Sequence, residues 1–179
     1  MKKRQLILAI FIIIIMISSA IGFVYTNDSN DTNTVNYNGF KFKLTENYNY
    51  IVDINGKQFI FDNLPNQLED MELPEFSTLN TKYYLIINYS EKNGNIDYSI
   101  NKLRYTLNLV NKKGILACAN TEECNADLPV KDCTEDSFYL KKSSINKVYL
   151  MDKCVIIEGN DLELVRLTDK INMKLAGII

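Results

Sequence analysis

The sequence predicts a mixed α/β (α+β) fold: one exported domain behind an N-terminal transmembrane helix. Three observations point there. Three basic residues and an apolar run open the chain. Two β-prone runs flank Asn55-Gly56, the pair that favours a tight hairpin. Further on, a continuous apolar run, a helical stripe and a short apolar run follow one another, the pattern of a βαβ unit.

Lys2, Lys3 and Arg4 precede 20 uncharged, mostly apolar residues from Leu6 to Tyr25. A helix of that length spans a bilayer core. Basic flanks stay on the cytoplasmic side. The other flank, "TNDSNDTNTVN", holds Asp28 and Asp31 and no Lys or Arg. The expected topology is a single pass through the cytoplasmic membrane, with the N-terminus inside and the domain outside. A cleaved signal peptide, which would leave the protein secreted, is the alternative. Ser18-Ser19-Ala20 offers a small-x-small cleavage site, although the apolar run continues to Tyr25. A pilin-like leader is a third option, weakened because no Glu stands early in the run. Residues 1–25 are therefore read as anchor or signal, residues 26–36 as a polar tether, and residues 37–179 as the exported domain. Asn27, Asn30 and Asn88 begin glycosylation acceptor patterns. Such tripeptides arise by chance in an Asn-rich chain.

Composition removes whole classes of function. The chain has no His and no Trp, so no His-based triad or His-ligated metal site exists. Without Lys2, Lys3 and Arg4, 17 of the 20 basic residues remain against 22 acidic ones, a net −5. No basic cluster stands outside the N-terminus, which argues against nucleic-acid binding.

The elements follow in order. "NGFKFKL" alternates Phe40 and Phe42 with Lys41 and Lys43, a half-buried strand. With "YIVDI-NG-KQFIF" it suggests a three-stranded N-terminal meander over residues 38–63. "LPNQLEDMELPEF" is bracketed by Pro65 and Pro74, and carries Glu69, Asp70, Glu72 and Glu75. It reads as a solvated acidic loop. "YYLIINYS" reads as a strand covered on both faces. Ile96, Ile100, Leu103, Leu107 and Val110 then mark one helix face. Asn95 or Asp97 is the expected cap, and Gly114 the expected left-handed stop. "ILAC" completes the βαβ unit. "SFYL" and the pair "KVYL-MD-KCVIIEG" add a strand and a β-hairpin. A C-terminal helix capped by Asn160 closes the chain, with Leu164, Leu167, Ile171 and Leu175 as its core stripe. The meander is expected at the edge of one mixed sheet.

Cys118, Cys124, Cys133 and Cys154 have the spacing C-x5-C-x8-C-x20-C. Structural zinc sites need paired knuckles two to four residues apart. Thioredoxin-like exchange needs C-x-x-C. Neither is present, and an even number of cysteines in an exported domain points to disulfides rather than free thiols. Four cysteines allow three pairings. Cys118–Cys124 with Cys133–Cys154 is preferred, because the first closes a short loop after "ILAC" and the second ties that loop to the hairpin. Long fixed loops often carry function. The 119–135 loop is thus the candidate binding surface, against a stapled loop with no partner.

Evidence for catalysis is thin. Ser90, Ser99 and Ser137 have no His base, and no Gly-rich phosphate loop is present. Asp152, Glu158, Asp161 and Glu163 gather near the last hairpin and the final helix, where a paired-carboxylate envelope hydrolase can be imagined. Acids at a helix N-terminus also serve its dipole. The tyrosine pairs read as strand residues before they read as a binding face.

The stretches "NGFKF", "GKQFIF", "LPVKDC", "CVIIEG" and the closing "LAGI" resemble an uncharacterised group of small archaeal proteins with an N-terminal anchor. The resemblance implies an archaeal cell-surface location and supplies no activity. The reading is a membrane-anchored, disulfide-stabilised extracytoplasmic module that binds or assembles with an envelope protein and needs no cofactor. A carboxylate-dependent hydrolase and a pilin-like subunit are the alternatives.

Overall fold

The computed structural model describes residues 33–120, 124 and 127–179. The apolar N-terminal run, most of the tether and the Asn27 and Asn30 patterns lie outside the described residues. Among the described residues, no helix is long and apolar enough to cross a membrane.

The domain contains two sheets and a helix pair. The first sheet is antiparallel, in the order β1 (Thr34–Tyr37), β2 (Phe40–Leu44), β3 (Tyr50–Ile54), β4 (Lys57–Phe61). The hairpin at Asn55-Gly56 forms as expected, with φ of 55° and 77°. Asn38-Gly39 repeats the device at 48° and 83°. Positive φ at both central residues gives the turn a twist that matches the strands. The second turn adds β1, so the meander has four strands rather than three, and it begins inside the stretch read as tether.

The second sheet is mixed, in the order β6 (Lys113–Cys118), β5 (Lys82–Ile87), β7 (Ser137–Lys142), β9 (Cys154–Gly159), β8 (Lys147–Met151). The first four strands in that order are parallel, and β8 pairs antiparallel with β9. The meander does not join this sheet. The connection between β4 and β5 runs through a short 3-10 turn at Pro65–Leu68 and an acidic strap instead.

Helix α1 (Gly94–Leu109) links β5 to β6, and α2 (Asp161–Ala176) follows β9. Asn93, not Asn95 or Asp97, caps α1 by accepting from the N–H groups of Asn95 and Ile96. Asn160 caps α2 as expected. The stop after α1 is Asn111, at φ 59°. Asn tolerates that conformation and leaves Gly114 free for another role. A Cβ on Gly114 would stand 3.0 Å from Leu85 Cδ1 and 3.2 Å from Leu107 Cδ1, so the glycine lets β6 approach α1 closely.

Both apolar stripes pack on one face of the five-stranded sheet. Ile96, Ile100, Leu103 and Leu107 of α1 meet Leu85, Ile87, Phe138 and Leu140, together with Leu164, Leu167, Ile171 and Leu175 of α2. The four-stranded sheet has its own core of Phe42, Val52, Phe59 and Phe61, which Met173 and Ile178 enter from the C-terminal end. The helix pair therefore serves two cores.

Candidate functional site

Strand alternation sends every second residue of the five-stranded sheet to the face away from the helices. In register across that face run Ala117, Ile86, Tyr139, Ile156 and Tyr149. The apolar cluster there contains no helix residue. Topology explains why. Strands β6 and β7 lie on opposite sides of β5, so residues 119–136 must cross it. The helices already occupy the other face.

Covalent and backbone pins hold this crossover. Cys118–Cys124 and Cys133–Cys154 are disulfides, with Cα separations of 5.5 and 5.0 Å. That is the expected pairing, and no cysteine is free. Between them, the crossover extends the sheet beside Cys118: the Cys118 N–H donates to Pro129 O at 3.0 Å, and the Lys131 N–H donates to Cys118 O at 2.9 Å. The chain then turns across the face. Lys131 Nζ stands 4.5 Å over the Tyr84 ring, and Cys133 is buried in the apolar cluster.

A cleft of about 340 Å³ opens beside these pins. Ile86 and Tyr139 form its floor. Lys131, Cys133 and Thr134 wall one side, and Met151 and Asp152 the other. Ala119 and residues 131–134 of the loop thus meet the last hairpin at one concave site. Residues 121–123, 125 and 126 lie outside the described residues. Next along the face, Glu158 is 7% exposed. It accepts from the Tyr149 hydroxyl at 2.9 Å and from Lys141 Nζ at 3.3 Å, with Lys147 Nζ at 3.7 Å. Burial pushes its carboxyl up, but Tyr149 and the two lysines together hold it below the usual range.

The serines and carboxylates considered for catalysis do not meet. Ser99 is buried in α1. The Ser137 hydroxyl donates to Glu135 O, and that of Ser90 to Asn88 Oδ1. Asp161 pairs with Lys142 and accepts from Asn93, Glu163 pairs with Arg166, and Asp152 sits in the last hairpin turn. Glu163 does share a second cleft, of about 470 Å³, with Asp70 and Glu72 of the strap. Arg166 and Lys147 share that lining, so it is not an acid-only site. Among the described residues, no group of three or more Cys, Asp or Glu side chains could hold a metal ion.

The acidic stretch is not a free loop. Arg166, Lys170 and Lys174 project at four-residue spacing from α2 and hold it by its carbonyls. Arg166 donates to Gln67 O, Lys170 to Leu68 O and Met71 O, and Lys174 to Pro74 O. The signal was present in the sequence as an i, i+4, i+8 basic edge. The other feature sequence reasoning missed is a charged cluster of Asp62, Lys102 and Asp169. Charged residues beside an apolar stripe read as solvated flanks, and only the fold buries them.

No family model, curated protein or solved structure matches the chain. Two disulfides with no free thiol fit a domain that matures in an oxidising, extracytoplasmic environment.

Proposed function

We propose that the protein is a membrane-tethered extracytoplasmic module that binds or assembles with an envelope partner through the helix-free face of its five-stranded sheet. The cleft at the pinned crossover carries this reading. A flexible connection would suffice to join β6 to β7, yet two disulfides and a backbone ladder fix this one beside a concave, partly apolar floor. Such fixing lowers the ordering cost of binding. The apolar N-terminal run supplies the tether in this reading, and its basic flank sets the orientation.

Two measurements test it. Thiol alkylation of the membrane-extracted protein, before and after reduction, reports compartment: no label until reduction is expected, and immediate labelling of all four cysteines overturns the location. Photo-crosslinking in intact cells from position 139, with position 104 on the outer side of α1 as control, reports binding. A discrete adduct from 139 alone supports the face. Equal adducts from both positions, or none from 139, count against it.

A further inference from the structure

One buried cluster lies apart from the proposed binding face and does not depend on it. Lys102 of α1 is 7% exposed, and Asp169 of α2 is 0% exposed. Lys102 Nζ stands 2.5 Å from Asp169 Oδ1 and 2.5 Å from Asp62 Oδ2. Asp169 Oδ2 accepts three hydrogen bonds, from the N–H groups of Asp62 and Asn63 at 2.8 and 3.0 Å and from Asn63 Nδ2 at 2.9 Å. Asp169 Oδ1 is fully buried, and the Lys102 ammonium is the group that faces it. The Tyr98 hydroxyl reaches both oxygens of Asp62 at 2.9 Å.

The two oxygens of Asp169 thus face different groups, Oδ1 the lysine and Oδ2 three N–H donors. We propose that Lys102 and Asp169 condense to an intramolecular isopeptide bond, with Asp62 as the proton relay. A nitrogen 2.5 Å from one carboxyl oxygen lies less than about 3.8 Å from the carboxyl carbon, close to the roughly 3–3.5 Å separation of a near-attack conformer. The three N–H groups on Oδ2 form a ready oxyanion hole for the tetrahedral intermediate.

The step balances without any other reactant. One ammonium proton crosses to Oδ1, leaving a neutral amine and a neutral acid. The amine attacks Cγ, and Asp62 takes the second proton. The Cγ–Oδ1 bond then breaks, Asp62 returns its proton, and Oδ1 leaves as water. The products are one secondary amide and one water. Burial, the largest influence on Asp169, raises its carboxyl and favours the neutral acid. Burial also keeps out the water that would reverse the reaction. Asp62 touches the same nitrogen, but its side chain is 30% exposed, and no such set of N–H donors converges on it.

The test is the mass of the folded, full-length protein after reduction and denaturation. The expected mass is one water below that of the same processed chain. Trypsin should fail to cut after Lys102, and a branched peptide should join that segment to the one holding Asp169. Asp62→Asn keeps Lys102 beside Asp169, and is expected to fold and show the full mass. Asp169→Ala is expected to show its own full mass. Wild-type protein at full mass, with protected amides in α1 and α2, overturns the bond. A branch at Asp62, or an Asp62→Asn chain that still loses water, overturns the assigned roles.

Discussion

Glu158 is a buried carboxylate near the end of β9, beside the edge strand β8. Its folded-state carboxyl lies below the ordinary range, so it contributes stability above the unfolded-state value. That contribution is lost as pH falls through the folded-state value. Glu158→Gln should therefore flatten the acid limb of the stability curve, read by urea denaturation from neutral to strongly acidic pH. An unchanged limb would show that Tyr149 and the lysines do not hold the charge. At the helix entrances, Asn160 and Asn93 each satisfy two N–H groups. Asn160→Ala should cost about 1 kcal/mol. The Asn93 amide also donates to Asp161, joining the starts of both helices.

The strap and the crossover are irregular elements held by different means. The strap is held by three cations on α2. Lys170 is the central one, and burial lowers its pKa. Lys170→Met should leave α2 folded and raise amide exchange selectively in residues 65–76. Uniform exchange across the domain would sink the idea of a local clasp. The crossover is held by disulfides. Replacing Cys133 and Cys154 together by Ser should cost about 2–4 kcal/mol, and replacing Cys118 and Cys124 less, since the closed loop is shorter. Urea midpoints of the two double variants give the comparison. Elements with period or turn chemistry were legible in the sequence: both long helices, the Asn55-Gly56 hairpin and the last hairpin. Strand β1 was not, because "TVNY" is polar and its edge position needs no apolar alternation. Spacing allowed three disulfide pairings, and the structure shows the preferred one. The cleft was legible only as a loop, because its floor comes from Ile86 and Tyr139 on two different strands.

At the scale of the molecule, the helix pair couples the two sheets. Met173 belongs to the four-stranded core and Leu167 to the five-stranded one, yet both sit on α2. Calorimetry should show one unfolding transition. Leu103→Ala, at a fully buried position, should cost about 2–5 kcal/mol and lower that transition without splitting it. Two separated transitions would mean that the sheets are independent. Separate sheets were not legible, because that depends on where the strap carries the chain. The Asp62, Lys102 and Asp169 cluster was hidden for the same reason: its members come from three elements far apart in sequence.

The pairing of the cysteines also bears on biogenesis. Cys118 bonds to Cys124 and Cys133 to Cys154, so each bridge joins neighbours in chain order and neither encloses the other. In the proposed topology the domain follows its anchor across the membrane and presents its thiols in that order. Each odd thiol meets its proper partner as the next one to emerge. Oxidation during passage therefore yields the native bridges directly, and the protein should mature in a host that has an oxidase but no disulfide isomerase.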